Sequence, residues 1–137
     1  PGGNLERLLG HSFYIAYKDL AGFVRTSEPL YVIRIISRFP VILSPANDSL
    51  VTNRVRLSWE PYFAEFDFTY SVEVVHVSSS FVYTLWYRRD SIPPDSTGWT
   101  VGVNLSSAPA FYYWTVSVVD EFGDRATSLP ARFRVGQ

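Results

Sequence analysis

At 137 residues and 17% aromatic content, the chain has material for one well-filled core and not for two complete domains. A formal net charge of −1 and a pI near 6.1 exclude the basic footprint of a nucleic-acid binder, and the absence of cysteine excludes disulfides and thiolate metal sites. No stretch of about 18 apolar residues reads as a membrane-inserting helix; the best run, Leu30 to Ile36, is broken by Arg34. The start at Pro1, without Met, reads as an excised or processed piece, a reading that leaves room for an export signal outside it.

In chain order, Leu5 to Leu9 offers one helical turn, too short to persist alone. From there the apolar residues alternate with period 2, the signature of strands. Val55, Leu57 and Trp59 share one parity, as do Phe68, Tyr70, Val72, Val74 and His76, then Trp99, Val101, Val103 and Leu105, then Tyr112, Trp114, Val116 and Val118, and last Phe133 and Val135. Turn-forming clusters separate them: Pro45 to Ser49, Ile92 to Gly98, Ser106 to Pro109 and Phe122 to Asp124. Short strands with regular turns and no long helix predict an all-β, antiparallel β-sandwich, one face of each strand buried and the other wet. Trp59, Tyr70, Val72, Leu105, Tyr112, Trp114, Val116 and Phe133 are the expected core.

The chain also repeats itself. Phe13 to Gly22 followed by Ser27-Glu28-Pro29 lies over Trp114 to Gly123 followed by Ser128-Leu129-Pro130. Asp19 and Asp120, Gly22 and Gly123, Ser27 and Ser128, and Pro29 and Pro130 are each 101 residues apart. That spacing is one sandwich domain of roughly 100 residues. It predicts a slice of a tandem array, with the last hairpin and linker of a preceding module in residues 1–36 and one complete module in residues 37–137.

Ser44-Pro45 with Asn47, Val55-Arg-Leu-Ser-Trp59-Glu-Pro61, Tyr70 to Val74, Leu105, Tyr112-Tyr-Trp-Thr-Val-Ser-Val-Val-Asp120 with Gly123, and Phe133-Arg-Val135 carry a family likeness. They resemble strands A, B, C, E, F and G of a fibronectin type III domain, an immunoglobulin-like sandwich, in the divergent form of bacterial surface and secreted proteins. The resemblance covers about 95 residues, and Phe13 to Ile33 resembles the F and G strands of a second copy. It implies that Trp59 is the buried strand-B tryptophan and Tyr112 the corner tyrosine that closes the turn after Leu105. It also implies an extracellular, cell-surface or periplasmic location. Two departures stand out: His11 in place of the corner tyrosine in the partial copy, and an unusually aromatic C′ region from Phe81 to Arg89.

Little in the chain suggests chemistry. His11 and His76 are the only histidines, and no nucleophile–base pair, Walker loop or Gly-rich phosphate cradle can be assembled; Pro1-Gly2-Gly3 is a chain end. Glu60 reads as a solvated strand-end charge. Asp120 to Asp124 has oxygen ligands without calcium-loop spacing, so its simpler reading is a turn in which Gly123 supplies a positive φ and Asp120 bonds its own backbone. No enzyme, cofactor or metal is expected. Asn47-Asp-Ser49 and Asn104-Leu-Ser106 match the N-glycosylation pattern, which carries meaning only in a eukaryotic secretory protein.

Aromatics are the best functional signal. Phe81, Tyr83, Trp86, Tyr87 and Trp99 crowd the middle of the chain, and simple alternation sets Tyr83, Leu85 and Tyr87 on one face and Trp86 with Arg88 on the other. An exposed Trp86 beside Arg88 and Arg89 would stack on a sugar or peptide. The expected function is a non-catalytic spacer, scaffold or docking module of a multidomain protein, with neighbouring domains as partners. The alternatives are a carbohydrate- or peptide-binding module using Trp86, Tyr87 and Trp99, bound to a polysaccharide or another protein, and the sensor domain of a periplasmic receptor. The apolar face of Phe13, Ile15 and Tyr17 predicts an ordered pair of antiparallel strands over residues 11–36, packed on the complete module or forming a homodimer with the same hairpin of a second chain.

Overall fold

The structure is a computed structural model that describes residues 5–108 and 111–136; Pro1-Gly2-Gly3 and the Pro109 of one expected turn lie outside the described residues. After a 3-10 turn at Leu5–Leu8, the described residues are all-β and mostly antiparallel. The chain separates into two compact units between Ile36 and Ser37.

The first unit holds β1 (Ser12–Phe13), β2 (Ala16–Lys18), β3 (Val24–Thr26) and β4 (Leu30–Tyr31). β2 pairs with β3 and β1 with β4, both antiparallel. The turn between β2 and β3 is made locally. Asp19 Oδ1 accepts the N–H groups of Ala21 and Phe23 at 3.0 Å each, and Gly22 takes the φ of 88° that a Cβ would strain. Arg25 Nε donates to Asp19 Oδ2 at 3.0 Å and, with the backbone N–H donors, holds that carboxyl below its ordinary value. Two continuous strands were the expectation for residues 11–36; the structure has four short ones. Pro29 has no N–H to continue the β3 ladder, and among the described residues no strand lies on the far side of β1 and β2 to hold them in one line.

The second unit begins with β5 (Ile42–Ser44) and β6 (Ser49–Val51), then β7 (Arg56–Trp59), β8 (Phe68–Val77), β9 (Tyr83–Ile92) and β10 (Gly98–Thr100). It ends with β11 (Phe111–Asp120), β12 (Arg125–Thr127) and β13 (Ala131–Val135). One sheet runs β10-β7-β5 and the other β6-β13-β11-β8-β9, with β12 beside β11. β5 and β6 are consecutive in sequence yet belong to different sheets, because the chain turns through the left-handed region at Asn47 and Asp48 (φ 54° and 61°). β6 pairs with β13 in parallel; among the described residues every other strand pairing of this unit is antiparallel.

The two sheets share one core, in which Trp59, Tyr70, Val72, Leu105, Tyr112, Trp114, Val116 and Phe133 are all buried. The Trp59 ring meets Tyr70 at 5.1 Å, and Tyr112 stacks on Phe133 at 5.4 Å. Trp114 Nε1–H donates to the Pro45 carbonyl at 2.8 Å and Tyr70 Oη accepts the Tyr62 N–H at 2.9 Å, whereas the buried Trp59 Nε1–H has no hydrogen-bond partner among the described residues. Tyr112 Oη–H donates to the Ser106 carbonyl at 3.0 Å and accepts the Ser106 N–H at 3.1 Å, tying the segment after Leu105 to the start of β11. The alternation expected from Trp99 to Leu105 fails in its middle. The ladder ends at Thr100, the chain bends at Gly102 and Val103, and Val103 is exposed while Val101 and Leu105 stay buried.

Candidate functional site

The aromatic strand β9 is where the structure departs most from simple alternation. Along β8, inward-facing Val72, Val74 and His76 lie opposite Arg89, Tyr87 and Thr84. Val74 faces Tyr87 while the next residue, Val75, faces Leu85, so Trp86 is the extra residue of a β-bulge. A second irregularity lies between Tyr70 and Val72, near Ser91 with its φ of 56°. Each bulge resets the parity. Trp86 therefore shares a face with Thr84 and Tyr87, and Arg88 lies on the opposite face; the expected grouping of Trp86 with Arg88 is corrected.

Trp86 is 45% exposed. Its ring sits edge-on to His76 at 5.7 Å, and His76 lies 5.9 Å from Tyr112. These three rings, with Ser78 and Ser106, line a cleft of about 330 Å³. The lining thus combines aromatic rings with serine side chains, a composition that suits a flat, partly polar ligand.

Tyr87 and Trp99 form a separate cluster. Trp99 Nε1–H donates to Tyr87 Oη at 2.8 Å, and the Arg89 guanidinium covers the Trp99 ring at 5.0 Å. With its N–H spent and its face covered, Trp99 is built into the module. Arg88 is also engaged, through Asp90 at 2.9 Å and Glu73 at 3.4 Å. The Ser71 hydroxyl first, and Arg88 second, hold the Asp90 carboxyl below its ordinary value.

The opposite face of the larger sheet adds Phe111 and Tyr113, which sequence reasoning passed over, to Tyr83 and Leu85. Tyr83 and Leu85 are exposed opposite Val77 and Val75, and Phe111 and Tyr113 meet edge-on at 5.2 Å beneath the Arg132 guanidinium, which lies 5.0 Å from the Phe111 ring. The signal available was the outward parity of Phe111 and Tyr113 beside the buried Tyr112 and Trp114.

The acidic loop after β11 is a turn of the same construction as that of the first unit. Asp120 Oδ1 accepts the N–H groups of Phe122 and Asp124 at 2.9 Å each, and Gly123 has φ 87°. Among the described residues no group of three or more His, Cys, Asp or Glu side chains is arranged to hold a metal ion. His11 and Glu60 are exposed, as are Asn47 and Asn104 of the two glycosylation triplets. Compared with known proteins, the chain matches no protein family and no curated sequence.

Proposed function

We propose that residues 37–137 are a fibronectin type III-like sandwich of the divergent bacterial surface type, acting as a non-catalytic spacer, scaffold or docking module of a multidomain extracellular or cell-surface protein. The strand order β10-β7-β5 against β6-β13-β11-β8-β9, a first strand divided between the sheets, and the Tyr112–Ser106 corner support the sandwich reading. The observation that carries the spacer reading is the repeat. Both units build the same turn from the same residue types 101 positions apart, which is what a tandem array of modules requires. A rigid module of this kind sets the distance between its neighbours; a ten-residue strand such as β8 spans roughly 30 Å.

The half-exposed Trp86 beside a cleft lined by His76, Tyr112 and serines favours one alternative, a carbohydrate- or peptide-binding module. Intrinsic fluorescence titrations against a panel of soluble polysaccharides and short peptides separate the two. Flat titrations for the chain and for Trp86→Ala alike support the spacer. A saturable change that Trp86→Ala abolishes overturns it in favour of the binding module.

A further inference from the structure

The outer face of the larger sheet, on the parity opposite to the shared core, is half apolar and half polar. The registers fix which side chains share it: Val77 lies opposite both Tyr83 and Phe111, Val75 opposite both Leu85 and Tyr113, and Glu73 opposite both Arg88 and Thr115. The first two rows make the apolar half. The other half holds the ion pairs of Arg88 with Glu73 and Asp90, and the Ser71 and Ser117 hydroxyls, bonded to Asp90 and Thr127. Where the halves meet, Glu73, Val75, Tyr83, Tyr113, Thr115 and Pro130 line a cleft of about 430 Å³. It is separate from the Trp86 cleft, whose His76 and Tyr112 have the opposite parity on β8 and β11.

Size, backbone and charge decide what such a cleft holds. Tyr83 and Leu85 are 63% and 54% exposed while Val75, Phe111 and Tyr113 are half-buried, so the apolar surface is roughly a few hundred Å², against about 800 Å² per partner in a stable protein pair. A second protein surface is a poor fit. β8 and β11 are each paired on both sides, so their backbone N–H and C=O groups are spent in the ladders. A peptide laid across them finds no backbone partner, and recognition is left to side chains. Around the cleft Glu73, Asp90 and Asp48 balance Arg88, Arg132 and Arg134, all within ion pairs, so the site favours neither an anion nor a cation. What suits it is a neutral ligand with flat C–H faces and hydroxyl edges.

We infer that this face binds a neutral polysaccharide chain. The Tyr83 and Tyr113 rings stack on sugar faces, the Glu73 carboxylate accepts sugar hydroxyls, and the Thr115 hydroxyl bonds beside it. The two tyrosines stand on β9 and β11, two strand spacings apart, which is about 10 Å or more at the backbone. One pyranose does not span them; a chain of sugars does. The inference goes beyond the spacer reading and leaves it standing, because the outer face of a distance-setting module is free for a ligand.

Its test is native electrophoresis of the full chain in gels cast with and without hydroxyethyl cellulose, galactomannan, xyloglucan or, as the charged comparison, polygalacturonate. The expected result is retardation by at least one neutral polymer, with the dissociation constant raised about tenfold or more in Tyr83→Ala and in Tyr113→Ala and unchanged in Trp86→Ala. A thermal transition of Tyr83→Ala matching that of wild type shows that its loss is not unfolding. No retardation by any neutral polymer, or equal retardation of wild type and both tyrosine variants, overturns the inference. Retardation by polygalacturonate alone overturns it as well. Binding lost in Trp86→Ala and kept in Tyr83→Ala overturns it in favour of the other cleft, and self-association that Tyr83→Ala abolishes assigns the face to a second copy of the chain.

Discussion

The hairpins of residues 11–36 and 112–136 are one design in two settings. Both bend at an aspartate that accepts two backbone N–H groups, both use a glycine near φ 88°, and both leave the ladder at a serine two residues before a proline. Among the described residues, only the second has a further strand paired beside its first one. β11 is a continuous ten-residue strand because β8 runs beside it, whereas the same stretch of the first unit is broken into β1 and β2. The turn and the register are therefore properties of the local sequence, and strand length and burial are properties of the neighbour.

Equivalent substitutions in the two copies test that division, and the largest contrast lies in the core. Trp114→Ala removes a buried ring and its bond to Pro45 and is expected to cost about 3–5 kcal/mol in a urea titration, a large part of a typical domain's stability. Phe13→Ala, at the equivalent position, is expected to move the same transition by less than about 1 kcal/mol. Trp59→Ala should match Trp114→Ala, since both rings fill the shared core; a loss below about 1 kcal/mol would mean that the two sheets do not depend on it.

The turns give the next contrast. Asp120→Ala leaves the N–H groups of Phe122 and Asp124 without their acceptor and should cost about 1–3 kcal/mol in the same titration. Asp19→Ala should leave that transition in place and instead speed amide exchange at Ala21 and Phe23. Equal destabilisation by both would show that the first turn supports the second unit.

Tyr112→Phe isolates a bond pair that the first unit lacks, because His11 stands at the equivalent position. Loss of both contacts to Ser106 is expected to cost about 0.5–1.5 kcal/mol, with faster exchange at Ser106. An unchanged transition would mean that the ring's stacking on Phe133, and not its hydroxyl, holds the segment after Leu105.

The smallest effect is on acid stability. Asp19 and Asp90 both have carboxyls held below the ordinary 3.8, so each contributes stability that is fully present above that pH and is lost as the pH falls through the lowered value. Both are solvent-accessible, so the contributions are small. Asp90→Asn should flatten the acid limb of the second unit's thermal stability below about pH 4, and Asp19→Asn should leave that limb unchanged. An identical acid limb in wild type and Asp90→Asn would remove the Ser71–Asp90–Arg88 network from the account.

Much of this was readable from the residues. The all-β class follows from period-2 runs such as Tyr112 to Val118, and the two turns follow from Asp and Gly at fixed offsets, because only that pair satisfies the backbone there. The bulge at Trp86 was not readable. Leu85-Trp86-Tyr87 contains no glycine to mark it, and a bulge exists only relative to the partner strand, here β8. The same holds for the division between β5 and β6, which depends on which strands flank each piece. Alternation fails wherever pairing is set by a distant neighbour, and the aromatic cleft lies at such a place.

The parallel pairing of β6 with β13 has a mechanical consequence. Phe133↔Ser49, Arg134↔Leu50 and Val135↔Val51 join the first strand of the larger sheet to the last, and Asp48 is clamped by Arg132 at 3.0 Å and Arg134 at 2.6 Å. Tension applied between residues 37 and 136 draws β6 toward its start and β13 toward its end. In a parallel pair those pulls are opposed along the strand axis, so the bonds and the ion pairs are sheared together and not unzipped one at a time. The last ladder of the second unit is thereby a clasp against stretching.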